Sequence, residues 1–309
     1  MAPGAGGCRT TDEEQTLRTG VIAAGRVGAV LGAALAAAGY DVGAASGASD
    51  QARHRIHTML PGTRHLPTDE VATAATDLLV VAVPDDALAG VVSGLAKMGV
   101  LRPGQVVAHT SGAHGLGVLA PAAAVGCRPV ALHPAMTFTG TPADLGRLPG
   151  ISYGVTAPDG VREVAARLVA DLGGTAEWIA DEARALYHAA LAHGANHLVT
   201  LVNEAADRLR EAGLRDPGLV LRPLLTAGLA NALSMGDGAL TGPVSRGDAG
   251  TIARHLRALA GTPTLAAYVA LAHRTADRAI AAGRLRPADA AVLLEVLGFA
   301  EQATARQLL

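Results

Sequence analysis

Aromatic residues are scarce in this chain: two Phe, one Trp and four Tyr are scattered through 309 residues. Proteins that bind nucleic acid stack bases on aromatic side chains or present basic surfaces. With so few rings and a net charge of −2, no nucleic-acid partner is expected. Cysteine is as rare. Cys8 lies near the start and Cys127 in the body; neither sits in a CxxC pair, which argues against a disulfide framework and against thiolate metal or redox chemistry. Long apolar runs are also missing. The apolar stretches are rich in Ala and Gly and are interrupted short of the roughly 20 residues that cross a bilayer, so no membrane segment is expected. Residues 1–16 hold no apolar stretch of the signal-peptide kind and read as a disordered tail, with the cytoplasm as default location. Lysine is nearly absent, Lys97 being the single one.

What is present begins at Thr19. The segment TGVIAAGRVGAVLGAALAAAGYDVGAAS, residues 19–46, predicts a strand at Gly20 to Ile22, a glycine-punctuated turn, a helix from Ala29 to Ala38 stopped by Gly39, and a second strand from Tyr40 to Ala45. That order is a dinucleotide-binding βαβ unit. In such a unit the second glycine lets backbone approach the pyrophosphate and the third lets the helix pack on the strand. Gly25 and Gly28 fill those places. Ala23 stands where the first glycine belongs, so the tight turn must be made with a Cβ present. Ala23, Ala24, Gly25, Arg26, Val27 and Gly28 are therefore the expected phosphate cradle. At the end of the second strand, NAD-preferring sites place an acidic residue. This chain has Ser46, followed by Arg53, His54 and Arg55. A hydroxyl with nearby guanidinium groups suits the 2′-phosphate of NADP, which a carboxylate would repel.

Further strand signals follow. Asp77 to Val83 is a continuous apolar run of the kind buried on both faces of a parallel sheet. It ends in Val83, Pro84 and Asp85 at the ligand-binding edge, with Asp85 and Asp86 expected to cap the helix Ala87 to Met98. Gln105 to His109 and Pro129 to His133 are two more strands. Each ends in a histidine followed by a small polar loop, placing His109 and Ser111 beside the cofactor and His133, Met136 and Thr137 beside a substrate. Gly150 to Thr156 and Thr175 to Ile179 flank the helix Val161 to Leu172 and close a first domain, residues 17–180. From 181 to 309 the pattern is helical. A long helix capped by Asp181 is expected to run to about Glu211, followed by helices at Pro217 to Ser234, Asp248 to Leu259, Pro263 to Ala282 and Pro287 to about Gln307. The fold class is thus an α/β Rossmann domain with a mostly parallel sheet followed by an all-α domain, a layout in which the helical part supplies substrate groups and often dimerises.

The first half resembles the NADP-binding domain shared by ketopantoate reductase, pyrroline-5-carboxylate reductase and F420-dependent NADP oxidoreductases. HTSGAHG (109–115), LHPAMTFTG (132–140), YHAALAHGANHL (187–198) and LTGPVSRGD (240–248) together resemble a bacterial family, with actinobacterial members, that joins a Rossmann-like domain to a C-terminal domain of unknown function. That second domain is related to the helical domain of 6-phosphogluconate dehydrogenase. The resemblance spans roughly residues 17–297 and implies an NADP-dependent reductase. It also implies ketopantoate as substrate, through the family's habit of lying beside pantothenate genes, and leaves a deazaflavin such as F420 open.

Related enzymes use lysine in a KxxxN pattern as general acid. Here Asn196 matches the asparagine, but Ala192 stands at the lysine position. Histidine is the natural replacement because its pKa lies near working pH. His193, Asn196, His197 and Thr200 share one helical stripe by spacing. His193 is the expected acid, Asn196 a substrate hydrogen-bond donor and His188 the substitute acid; packing on another helix or across a dimer is the plainer alternative for that stripe. His193 and His197 have a two-histidine metal spacing, but Gly194 stands where HExxH needs Glu, so no metal is expected. Thr241 and Arg246 are the expected carboxylate-binding pair for a small carboxylate substrate, and Asp248 an N-cap. The functional expectation is NADPH-dependent reduction of a small carbonyl acid, ketopantoate first. An imine reductase of the pyrroline-5-carboxylate type and a non-catalytic NADP-binding sensor or scaffold are the alternatives, and a homodimer through the helical domain is the expected assembly.

Overall fold

The structure, a computed structural model, describes residues 16–307. It divides into two compact units, one ending at His197 and one beginning at Leu198. The expected tail and Cys8 lie outside the described residues, apart from Thr16.

The first unit is built on one eight-stranded sheet in the order β3-β2-β1-β4-β5-β6-β7-β8. Its strands are β1 (Arg18–Ile22), β2 (Asp41–Ala45), β3 (Arg64–His65), β4 (Leu78–Val81), β5 (Val106–His109), β6 (Arg128–Pro134), β7 (Ser152–Thr156) and β8 (Thr175–Trp178). All neighbours pair in parallel except β6 and β7, which run antiparallel with His133 opposite Gly154. The crossover helices are α1 (Arg26–Ala37), α2 (Asp50–Met59), α3 (Thr68–Ala74), α4 (Asp85–Lys97), α5 (Ala120–Ala124) and α6 (Arg162–Asp171). Because successive side chains of a strand point to opposite faces, the central strands feed two cores. Val21, Val80, Ala108 and Val130 join one cluster, while Ile22, Leu79, Val81 and Val107 join the other. Burial on both faces is why the run at 77–83 carries no polar alternation.

Two elements were not anticipated, and some local expectations need correction. The two-residue β3 and the short α3 carry too little periodicity to be seen in the sequence. Asp85 and Asp86 do not cap α4; Pro84 occupies the cap position and the two carboxylates lie in the first turn, where they meet the helix dipole. The long helix expected from Asp181 to Glu211 is present as a continuous helical course, but it opens with a 3-10 turn at Asp181–Ala183 and carries a π-helical turn (Ala192–Asn196) between α7 (Arg184–Leu191) and α8 (His197–Glu211). Asp181 does not cap it. Its carboxylate instead accepts the Leu116 N–H at 2.6 Å, tying this turn to the loop after β5. α7 is attached to the strand ends, so the first unit extends past the boundary expected at 180/181.

The second unit comprises α8, α9 (Pro217–Met235), α10 (Ala249–Leu259), α11 (Thr264–Ala281) and α12 (Pro287–Gln307). Asp216 and Asp248 cap α9 and α10 through the N–H groups of Gly218 and Thr251. Ile252, Leu256, Val269, Ala276 and Leu293 form its core. α9 contributes little to it. Leu219, Leu224, Leu229 and Leu233 are exposed, Leu233 to 80%. Contrary to the expectation that every apolar stretch is short, the segment 217–246 is long and apolar enough to cross a membrane by length and composition. Arg222 is the only charge between Asp216 and Asp237.

Candidate active site

The turn between β1 and α1 sits at the carboxyl end of the sheet, where open α/β sheets bind ligands. Ala23 adopts φ +63°, a left-handed conformation that costs an L-residue about 1–2 kcal/mol. This is the geometry for which the usual glycine is chosen. The turn is held by the Ser46 hydroxyl, which accepts the Ala23 N–H at 3.1 Å, and by the Ser46 carbonyl, which accepts the Ala24 N–H at 2.7 Å. A Cβ at Gly28 would collide with the Ala23 carbonyl, whereas one at Gly25 would meet nothing closer than 3.9 Å. Space therefore lies open in front of Gly25. The first turn of α1 has no capping side chain and no acidic residue, and Arg26 places a cation at the positive end of the helix dipole, against its preference. Unmet N–H groups together with a misplaced cation fit a bound anion such as a pyrophosphate. Ala24 and Val27 are packed inward, Val27 against the core.

Around the end of β2 the guanidinium groups part company. Arg53 is exposed, ion-paired with Asp50 and bonded to the Ala48 carbonyl at 2.9 Å. Arg55 donates through Nε to the Gly140 carbonyl at 3.2 Å. A Cβ at Gly140, φ +76°, would meet Arg55 Nε and Arg26 Cγ, both at 2.7 Å, so the loop after β6 comes down between the two arginines. Asp144 holds that loop, accepting the N–H groups of Thr139 and Gly140, both at 2.8 Å. Burial pushes its pKa up, but these donors outweigh burial and keep it lowered. An opening of about 480 Å³ between α2 and the loop is lined by His54, Arg55, Thr139 and Gly140. A roomier one of about 680 Å³ lies at the other edge of the sheet, beside Leu17 and Asp77, which precede strands, and Arg128, which begins one. It is away from the ligand-binding edge.

The strand-end histidines differ. His109 is fully buried. Its Nδ1 accepts the Ser111 N–H at 3.2 Å, so the hydrogen sits on Nε2 and is donated to the Gly115 carbonyl at 3.0 Å. Ser111 in turn accepts the N–H groups of Ala113 and His114. Both residues are committed to shaping the loop after β5. His133 Nδ1 lies 3.0 Å from the Tyr187 hydroxyl of α7, and its ring meets His188 edge-to-face at 5.8 Å. A Cβ at Gly112 would fall 2.6 Å from His188 Cδ2 and 3.1 Å from His133 Nε2, which gathers the loop after β5, the end of β6 and α7 into one cluster. Burial, above all, lowers the pKa of both His109 and His133 to about 4. Beneath the cluster lies Arg184, with no exposed surface. It donates to the Ser111 carbonyl at 2.7 Å, the Thr156 hydroxyl at 3.0 Å and the Gly154 carbonyl at 3.3 Å. Sequence reasoning missed Arg184 and Tyr187. Nothing in a helical stretch distinguishes a buried arginine from a solvated one.

The remaining expected residues lie apart from this cluster or are otherwise engaged. Met136 packs on the core, Val83 on the opposite core cluster, and Thr137 and Pro84 are exposed. His193 and Asn196 are exposed on the π-helical turn, where His193 Nδ1 lies 3.2 Å from His197 Nδ1. His193 and His197 of the expected stripe do meet, their rings edge to face at 5.3 Å, although the π-helical turn departs from the α-helical pitch. Thr241 and Arg246, in the second unit, are both exposed, Arg246 closing the short 3-10 turn Val244–Arg246 before Gly247. Among the described residues no group of three or more potential metal ligands occurs.

The architecture that carries this site is shared with known proteins. Residues 6–134 match the model of a Rossmann-like domain, and residues 151–275 that of a domain of unknown function, DUF2520. A candidate NADP oxidoreductase of Bacteroides fragilis is 22% identical with a TM-score of 0.73, covering 85% of this chain and 98% of its own. An imine reductase of Streptomyces aurantiacus is 16% identical, TM-score 0.59, covering 84% and 95%. The NADP-bound pyrroline carboxylate reductase of Plasmodium falciparum is 12% identical, TM-score 0.52, covering 93% and 97%. At these identities the likeness establishes the fold, a Rossmann-like unit followed by a helical one. No curated protein matches the chain.

Proposed function

We propose that this chain is an NADPH-dependent reductase of a small carbonyl acid, with ketopantoate, reduced to pantoate, as the first substrate to test. The observation that carries the reading is the start of α1: open space at Gly25, N–H groups without a cap, and Arg26 on a helix end that disfavours it. A bound nicotinamide cofactor would supply the hydride. The chain's own part is to hold the pyrophosphate on the turn Ala24–Val27 and to receive a 2′-phosphate near Ser46, with Arg26 and Arg55 as counter-charges. No acidic residue stands at the end of β2 to repel it. His133 and His188, at the carboxyl edge of β6 and on α7, are the polar groups on the side where a carbonyl would lie. Thr241 and Arg246 are kept as the candidate carboxylate pair, and His193 with Asn196 as candidate catalytic groups.

An imine substrate of the pyrroline type is the second reading. It is supported by the neighbours named imine reductase and pyrroline carboxylate reductase and by the near absence of lysine, since an imine can arrive already protonated. The exposed leucine face of α9 supports a homodimer built on the helical unit. Leu229→Glu is expected to shift sedimentation from dimer to monomer, and an unchanged wild-type monomer would exclude that assembly.

The deciding experiment measures NADPH and NADH oxidation by the purified protein with ketopantoate and, in parallel, with pyrroline-5-carboxylate. NADPH-preferring turnover of ketopantoate supports the first reading, and turnover of the imine alone supports the second. Tight NADPH binding without turnover of either would replace both with a binding role.

A further inference from the structure

Arg184 is a cation buried beneath the carboxyl edge of the sheet with no ion pair among the described residues, and its Nε has no hydrogen-bond partner. It bonds only to neutral oxygens. A buried charge is costly: burial lowers the Arg184 pKa, and Tyr187, followed by the carboxylates of Asp181 and Asp85, acts against that. The guanidinium lies 6.0 Å from the ring of Tyr187, whose hydroxyl faces His133 Nδ1 at 3.0 Å. A Cβ on Gly154 would fall 2.5 Å from that hydroxyl, so the strand backbone forms the seat of the phenol oxygen. Burial, the largest influence, raises the Tyr187 pKa, while the Arg184 charge and then the Gly154 amide act in the opposite direction and favour the phenol's anion. With the phenol as donor in the 3.0 Å bond to His133 Nδ1, the neutral imidazole carries its own hydrogen on Nε2, the atom turned toward Gly112 and the loop after β5.

We infer that His133 delivers the proton of the reduction through Nε2–H, that Tyr187 replaces it at Nδ1, and that buried Arg184 holds the negative charge left on the phenol oxygen. This rests on the reductase reading above. As hydride reaches the carbonyl carbon, the oxygen becomes an alkoxide. A new O–H bond forms there as the His133 Nε2–H bond breaks. A new Nδ1–H bond forms as the Tyr187 O–H bond breaks. The imidazole is neutral before and after, and the charge ends as a tyrosinate, far less basic than an alkoxide, which solvent later reprotonates. His133 is the catalytic residue; Tyr187 and Arg184 act through it.

The charged and titratable groups facing His133 are His188, Arg184 and Tyr187 from α7, Asp85 from the start of α4 and His109 from β5; Glu177 of β8 also acts on Tyr187. Burial and the neighbouring His188 and Arg184 together hold His133 neutral down to about pH 4. A donor that works as neutral imidazole gives a rate that does not fall as pH rises through the histidine range, unlike an imidazolium acid.

The test has two arms on the full chain. Nitrogen-15 NMR of histidine-labelled protein reads the chain of bonds without turnover. His133 is expected as the Nε2–H tautomer, unchanged from pH 8 to pH 5, with Tyr187→Phe mixing its tautomers and leaving His109 untouched. In the second arm, NADPH oxidation with ketopantoate is compared among variants. His133→Asn and Tyr187→Phe are expected to lower kcat about 100-fold or more, with KM and NADPH affinity within about threefold and a solvent deuterium isotope effect that disappears in Tyr187→Phe. Arg184→Lys, which keeps the charge, is expected to retain more activity than Arg184→Met. His133 signals indifferent to Tyr187→Phe, or full activity in His133→Asn, would overturn the proposal. If wild type turns over no ketopantoate, the substrate reading fails, and the NMR arm alone decides whether the proton chain exists.

Discussion

β5 and β6 each end in a histidine, and the two rings have opposite fates. His109 has both nitrogens engaged within the following loop, one by Ser111 and one by Gly115. His133 has one nitrogen on Tyr187 and its other edge toward Gly112. Burial keeps both neutral, so burial does not tell scaffold from chemistry. What tells them apart is whether a ring nitrogen is left over.

The largest effect that tests this contrast is common to both rings. Each is held neutral until about pH 4, whereas an unfolded histidine takes up its proton near pH 6.5. The stability they support is therefore present above about pH 6.5 and lost as pH falls toward 4, by about 3 kcal/mol for each ring, with no further loss from these groups below that. Denaturation followed from pH 8 to pH 4 should show this, and His133→Leu should remove about half of the slope. A flat profile would mean that the rings are not buried as described. Next in size, His109→Leu leaves the Ser111 N–H and the Gly115 carbonyl unmet and is expected to cost about 4 kcal/mol at pH 7.5. His133→Leu, which loses a single neutral hydrogen bond, should cost about 1 kcal/mol. The reverse order in urea unfolding would break the comparison. The smallest effect lies at a third strand end. Ala23→Gly relieves the left-handed strain after β1 but frees the unfolded chain, for a net gain of about 0.5 kcal/mol; a loss would show that the Ala23 methyl, packed against the core cluster, matters more than the strain.

Much of the first unit was legible because its signals are local. Gly39 ends α1, the apolar run at 77–83 forms β4, and the break in the glycine pattern at Ala23 marks the one non-glycine residue with positive φ among the described residues. Asp216 and Asp248 cap helices as their spacing predicts. The histidines at 109 and 133 were visible as strand ends, but their unequal roles were not, because these depend on partners distant in sequence. His133 meets Tyr187 across 54 positions, and Arg184 meets Ser111 across 73. The 3-10 start and the π-helical turn of the helix after Asp181 were hidden for a related reason. Its residues favour helix throughout, whereas Asp181 in the 3-10 start bonds to Leu116, 65 positions away in sequence, and the π-helical turn at Ala192–Asn196 changes the pitch within an unbroken helical course.

Gly154 shows how a strand's direction can reach into acid–base chemistry. Because β7 runs against β6, it sets a residue without a side chain opposite His133, and the volume a methyl group would fill is occupied by the Tyr187 phenol. The most selective position around that phenol is thus an atom the sequence does not contain. Single-methyl edits at 154 act as a ruler on this vacancy, reporting the fit of a side chain thirty-three positions away.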